Sequence, residues 1–233
     1  VIKSSISSTS SCCRGVSLIK GIEFGVETRK PLLTSRYISS TLGPNFDCGV
    51  MMGANIANEI AAGYPCESAL AARFGSGETD ENTRLVFHDD SVFRVRHIDD
   101  VAGAEACGAL KNVFALGCGF VDGLEYGSNT KASLLRVGLH EMKEFCRLFF
   151  NDVESNTFTE SCGVADLITT CYGGRNRRCA EEFSLRRIEV GLGSVEENYC
   201  ENLWQDIEFE LLKGQKLQGT HTVRGVFSAL KEK

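Results

Sequence analysis

The sequence contains no Cys-x-x-Cys pair, no metal-ligand spacing among its four histidines, and no apolar run approaching the roughly 20 residues that span a bilayer. The first two absences argue against a zinc centre and leave His88, His97, His140 and His221 as structural side chains. The third predicts a soluble chain with no membrane as partner. Eleven cysteines are many, but their number is odd, their spacing is irregular, and most sit in apolar runs, as at Cys107, Cys118 and Cys146. They read as reduced, buried thiols of a cytoplasmic protein rather than as a disulfide framework. A formal net charge of -6 repels polyanions at long range, so nucleic acid is not expected as a partner. A small anionic substrate is compatible with it, provided basic residues converge locally.

Signal-peptide character is also missing. The chain opens at Val1, and the stretch to Arg14 is rich in serine, with only two basic residues and no long apolar core. A partial gene product or a degraded start is the expected reason. With 233 residues, 42% of them hydrophobic, the chain can bury a sizeable core in one or two domains.

Short apolar runs bounded by glycine predict strands at Gly15 to Lys20 and Cys48 to Gly53, and a third at Val92 to Ile98. Helical patterns fall at Thr34 to Leu42 and Asp80 to Phe87. Alternating strands and helices are the sequence form of a parallel α/β sheet. Beyond Val101 the texture changes. Glu105 to Phe120 is apolar or small on nearly every face, as in a helix buried all round. Asn129 is placed to cap a second long helix ending at Phe149, with Leu135, Leu139, Met142, Phe145 and Phe149 on one stripe. Further helices are expected at Gly163 to Thr170, Arg175 to Arg187, Leu203 to Leu212 and Thr222 to Leu230. The fold class is therefore α/β followed by all-α.

Lys111 stands inside the all-apolar helix, where an ammonium loses hydration. Burial lowers a lysine pKa and brings the group closer to proton transfer at working pH; the alternative is a side chain that snorkels to the helix edge. Asn112 beside it can orient a substrate hydroxyl or satisfy a backbone group. Gly173-Gly174-Arg175-Asn176-Arg177-Arg178 is a glycine turn entering a helix. It offers backbone N–H groups and a guanidinium to a phosphate, or forms a solvated basic helix start. Asp89-Asp90 and Asp99-Asp100 read as loop or cap acids.

The motifs Glu105-Ala-Cys-Gly-Ala-Leu-Lys111-Asn112-Val113, Gly119-Phe-Val-Asp122-Gly-Leu, Asn129-Thr-Lys131-Ala, Glu160-Ser-Cys-Gly-Val-Ala-Asp166-Leu-Ile-Thr-Thr170-Cys171, Gly173-Gly174-Arg175-Asn176-Arg177 and Gly214-Gln-Lys216-Leu-Gln218-Gly219 stand in an order that resembles the NAD-dependent glycerol-3-phosphate dehydrogenases. The similarity extends from about Gly15 to the C-terminus. It implies an incomplete NAD-binding Rossmann-type domain over 1–101 and a helical substrate-binding and catalytic domain over 102–233. It further implies dihydroxyacetone phosphate and glycerol 3-phosphate as substrates, NAD as cofactor, and a homodimer. By the same resemblance Lys111 exchanges the proton at the reacting oxygen. Lys20 hydrogen-bonds the reacting oxygens, and Asp166 and Asn112 hold lysine and substrate in register. Thr170, Arg175 and Asn176, with Lys20, match the substrate-binding positions; Ala57 in Met-Gly-Ala-Asn55-Ile-Ala57, Arg175, Lys216 and Gln218 match cofactor contacts. No metal is implied.

Three departures stand out. No Gly-x-Gly-x-x-Gly turn is present, and Gly75-Ser-Gly77 is too short to replace it. In the family that turn precedes the Lys20 segment, so the chain is expected to start after it and to stop early at Lys233. The stretch Ser184 to Phe209, with the lone Trp204, is longer than usual. Ser128 replaces the acid or amide that normally precedes Asn129. Two alternatives follow: a non-catalytic truncated homologue that binds a phosphorylated ligand or an intact partner, and a related dehydrogenase acting on a sugar acid. The Lys111-Asn112 pair and the Gly-Gly-Arg-Asn turn argue against the last.

Overall fold

The computed structural model describes residues 12–74, 77–193, 195–196 and 198–233. Most of the serine-rich opening and the Gly75-Ser76 pair lie outside the described residues. A four-stranded sheet has the order β1 (Cys13–Ser17), β4 (Phe46–Met52), β5 (Cys66–Ala71), β6 (Phe93–Ile98); β2 (Glu23–Phe24) and β3 (Pro31–Leu32) form a separate small hairpin. The pairs β1–β4 and β5–β6 are parallel. The central pair β4–β5 is antiparallel, so the sheet is mixed rather than wholly parallel.

The antiparallel turn arises at β5, for which the sequence carries little strand signal: Cys66-Glu-Ser-Ala-Leu-Ala71 has no β-branched residue. Burial decides its conformation. Consecutive apolar residues in β4 and β5 need cover on both faces. Val50, Met52, Ala69 and Ala71 pack on Ala104 and Cys162, whereas Met51 and Leu70 pack on the opposite side with Ala72, Phe74, Val95 and the helix residue Phe87.

Among the described residues, three helices belong to the sheet region: α1 (Thr34–Leu42), the short α2 (Ala57–Ala61) and α3 (Gly77–Phe87). The helical part follows as α4 (Val101–Gly123), α5 (Gly127–Phe149), a 3-10 turn at Ser155–Thr159, a π-turn at Ser161–Ala165, α6 (Asp166–Gly173), α7 (Arg175–Val190), α8 (Tyr199–Leu212) and α9 (Gln218–Lys231). Among these, α4 is the axis. By length and composition it could cross a membrane, contrary to the expectation of no such run, yet most of it is buried inside the fold. Gly119 lets it approach α7 closely: a β-carbon there would collide with the Arg177 carbonyl and Ala180. Asp100 caps its start, accepting from the Gly103 N–H at 2.7 Å.

Two local expectations are corrected. Asn129 is the third residue of α5 and not its cap, because the left-handed Glu125 and Gly127 turn the chain early and start the helix at Gly127. The first strand ends at Ser17, not Lys20. Its pairing with β4 stops at Val50, and Leu18 and Ile19 continue as exposed, irregular chain. The expected stripe on α5 does face the core, with Met142 and Phe145 buried and Leu135, Leu139 and Phe149 packed against them. All eleven cysteines are free thiols, six of them buried.

Candidate active site

Lys111 projects from the middle of α4 and is buried, so the snorkelling alternative does not hold. Its Nζ donates to Asp166 Oδ1 at 2.5 Å. The π-turn before α6 delivers this carboxylate into the interior, where it is almost wholly buried. Burial pushes the Lys111 ammonium down to about 8; Asp166 opposes that shift, and the nearby charge of Lys20 adds to it.

Lys20 reaches the same carboxylate from the irregular chain after β1. Its Nζ donates to Asp166 Oδ2 at 3.1 Å, to the Gly53 carbonyl at 2.7 Å and to Asn55 Oδ1 at 2.8 Å. An ammonium has three protons, and all three are engaged. Asp166 thus bridges two lysines through its two oxygens. Asn55 was not singled out from the sequence. Its signal lies in the Met-Gly-Ala-Asn55-Ile-Ala57 motif, two residues before the matched Ala57.

Asn112 and Asn176 are both buried and bonded to each other, Asn176 Nδ2 donating to Asn112 Oδ1 at 2.9 Å. Asn176 Oδ1 accepts from the Gly219 N–H at 2.9 Å. One amide thereby ties α4, α7 and the first turn of α9 together, which commits both ends of the Asn176 side chain. Arg175 opens α7 after Gly174, with no side-chain cap and no acid in the first turn. The first turn of this sixteen-residue helix therefore keeps N–H groups without a side-chain cap and a positive dipole end beside a guanidinium. Arg175 Nη1 rests on Gln215 Oε1 at 2.5 Å.

A cavity of about 170 Å³ gathers these groups. Lys20, Lys111, Asn112, Thr170, Arg175, Asn176, Lys216 and Gln218 all line it, with Gly174 and Leu217. Asp166 lies beneath it. Lys216 is at the rim, its side chain 86% exposed and 3.6 Å from Glu208, while Gln218 begins α9 rather than continuing a loop. Ala57 is not in the lining; it stands exposed at the first position of α2, two residues past Asn55. The cavity is lined by cationic and polar side chains with the exposed Lys216 at its edge, a lining that suits a small anionic molecule. Cys107, one turn from Lys111, is no nucleophile, because complete burial raises its thiol well above the ordinary range. Among the described residues no three His, Cys, Asp or Glu side chains form a metal cluster.

Two other motifs meet away from the cavity. Asp122 Oδ2 accepts from Lys131 Nζ at 2.7 Å and from Arg177 Nη1 at 3.0 Å, joining α4, α5 and α7. Within the long 184–209 stretch, Trp204 packs inward: it stacks on Phe183 with ring centres 4.5 Å apart and meets Phe120 edge-on. Its role is packing.

Residues 100–233 match the family profile described as NAD-dependent glycerol-3-phosphate dehydrogenase C-terminus, and residues 2–76 match the corresponding N-terminus profile. The chain is 49% identical over 216 residues to the chloroplastic glycerol-3-phosphate dehydrogenase (NAD+) 1 of Arabidopsis thaliana, covering 93% of this chain and 50% of that protein. It is 43% identical over 220 residues to the cytoplasmic enzyme of Bos taurus, covering 94% and 57%. The chain therefore spans little more than half the length of these curated relatives. A solved glycerol-3-phosphate dehydrogenase from Saccharomyces cerevisiae superposes with a TM-score of 0.82 at 38% identity, over 99% of this chain and 62% of the other. The Dunaliella salina structure gives 0.81 at 41% identity, over 94% and 38%.

Proposed function

Because the chain belongs to the NAD-dependent glycerol-3-phosphate dehydrogenase family, we propose that it carries the proton-transfer residues and phosphate clamp of an enzyme interconverting dihydroxyacetone phosphate and sn-glycerol 3-phosphate. The observation that carries this reading is the buried Lys111–Asp166–Lys20 bridge opening onto the uncapped Arg175 helix start in one cavity. Arg175, the backbone N–H groups of the first turn of α7, and Thr170 hold the phosphate. Asn112 orients the substrate hydroxyl. The carbonyl then lies over Lys111 and Lys20.

NADH, when bound, supplies the hydride that adds to the carbonyl carbon. Negative charge develops on the carbonyl oxygen, and Lys111 transfers its Nζ proton there; the resulting neutral amine takes the proton back in the oxidative direction. A pKa near 8 keeps Lys111 mostly protonated at neutral pH yet within reach of both states. Lys20 joins the reacting oxygen by exchanging its longest bond, that to Asp166 Oδ2, for the substrate. Asp166 then serves Lys111 alone. Lys216, Gln218 and Arg175 at the rim, with Ala57 beyond Asn55, form the cofactor side.

The division into 1–101 and 102–233 is proposed on the same footing, supported by the last strand ending at Ile98 and the axial helix starting at Val101. A homodimer and a cytoplasmic location complete the proposal; relatives carry both cytoplasmic and chloroplastic names. The test is NADH oxidation by the full-length protein with dihydroxyacetone phosphate beside a panel of sugar acids. Turnover confined to dihydroxyacetone phosphate supports the reading, and turnover of a sugar acid in its place overturns it.

A further inference from the structure

Two of the three acceptors on Lys20 come from one turn, the Gly53 carbonyl and Asn55 Oδ1. The carbonyl has no choice of face, because the chain is pressed onto β5: a β-carbon on Gly53 would meet Glu67 O at 2.6 Å and Ser68 Cα at 2.7 Å. Asn55 has a choice. A carboxamide presents an acceptor at one end and two donors at the other, and the donor end turned toward Lys20 would set N–H against N–H. Lys20, a donor only, selects the acceptor end, and what holds the far end of the amide is Ser68, whose Oγ accepts from Asn55 Nδ2 at 2.8 Å. Ser68 is buried on β5 and outside the cavity.

The neighbouring residue braces the other half of the bridge. Ser161 Oγ donates to the Glu67 carbonyl at 2.8 Å, and Ser161 is the first residue of the π-turn that delivers Asp166. Residues 67 and 68 of β5 therefore hold, from below, both the amide and the carboxylate that fix Lys20.

We infer that Ser68 is a positioning residue of the reaction: its hydroxyl oxygen anchors the far end of the Asn55 amide, so that Oδ1 is held fixed against Lys20 and keeps that lysine at the reacting centre. The inference deepens the dehydrogenase reading and rests on it for its catalytic consequence, but not for its geometry. Ser68→Ala removes the acceptor, and Ser68→Cys replaces it with a near-isosteric weak one. Either change leaves the far end of the Asn55 amide unanchored, so that its bond to Lys20 is held less firmly.

Two measurements test this. In the chain itself, the Asn55 side-chain amide, identified by its loss in Asn55→Asp, is followed by NMR. Its hydrogen exchange should speed up by about tenfold in Ser68→Cys, the loss of one hydrogen bond's worth of protection. In the full-length enzyme, kcat should fall by about tenfold with little change in the KM for dihydroxyacetone phosphate, since the Arg175 clamp is untouched. The double variant Ser68→Cys with Asn55→Ala should be no slower than Asn55→Ala alone, because both act through one amide. Losses that multiply, or an Asn55 amide whose exchange does not change, would overturn the inference. A full-length protein with no dehydrogenase activity would overturn the proposed function instead, while the exchange measurement would still decide the role of Ser68.

Discussion

Lys111 donates to Asp166 at 2.5 Å from the interior of a largely apolar helix, and both groups are nearly sealed from solvent. A buried ion pair of this kind contributes little net stability, since desolvation of both charges offsets most of their attraction. Its retention at the floor of a polar cavity is better explained by what it does to the lysine. Burial lowers the ammonium toward neutrality while the carboxylate prevents the complete loss of charge.

Lys111→Ala, placed in the full-length protein, should lower kcat by on the order of 10² to 10⁴, the usual worth of a positioned general acid. The fold should survive, because Asp166 keeps its second partner, Lys20. Steady-state rates together with a circular dichroism melt make the check. A variant that folds and turns over at the wild-type rate would remove Lys111 from the chemistry.

For Asp166→Asn the sign of the pH effect is fixed by the carboxylate's contribution. Asp166 raises the Lys111 pKa against the effect of burial, so its loss lowers the midpoint below about 8. In the proposed reaction, reduction of the carbonyl needs protonated Lys111 and fails as pH rises through that value. The alkaline fall-off of kcat for reduction should therefore move to lower pH in the variant. An unmoved profile would mean that another group titrates. The broken pair also leaves a buried ammonium beside Lys20, and a stability loss of about 3 kcal/mol is expected in urea titration.

The unusual character of Lys111 was legible because a lysine among Ala109, Leu110, Val113 and Phe114 departs from the helix's own pattern. Helix positions in the C-terminal half were legible from comparable signals: α5 carries a regular apolar stripe, and Gly174 marks the start of α7. What the sequence could not display was tertiary choice. Cys66–Ala71 becomes a strand because both faces find cover, not because its residues favour it. Asn176 looks like a phosphate ligand in its turn, but its side chain is committed to Asn112 and Gly219, residues 64 and 43 positions away. The partners of Lys20 are similarly distant, at 33, 35 and 146 positions.

Arg175→Ala should raise the KM for dihydroxyacetone phosphate by roughly ten- to a hundredfold, the equivalent of a lost charge-assisted bond worth about 1.5–3 kcal/mol. The α7 dipole and N–H groups remain, so binding is weakened and not abolished. A non-phosphorylated analogue such as dihydroxyacetone should be affected far less. Equal losses for both substrates would take Arg175 out of the phosphate clamp and leave it a packing or cofactor role.

Asp100 provides the corresponding test of the scaffold. It is buried, and its carboxylate receives three donors: the Gly103 N–H at 2.7 Å, the Glu154 N–H at 2.8 Å and the Thr157 hydroxyl at 2.7 Å. The first caps α4, the helix that carries Lys111 and Asn112; the other two fasten the turn that leads into Asp166. Asp100→Ala strands all three donors, and the expected loss is about 2–4 kcal/mol, combining a lost helix cap with buried N–H and O–H groups left unpaired. Asp100→Asn keeps one acceptor oxygen and should cost less. Urea titration of the chain measures both. Because Asp100 lines no part of the cavity that holds Lys111, folded enzyme bearing Asp100→Asn should keep the wild-type KM for dihydroxyacetone phosphate. A raised KM at unchanged stability would show that the cap tunes the position of α4 rather than only anchoring it.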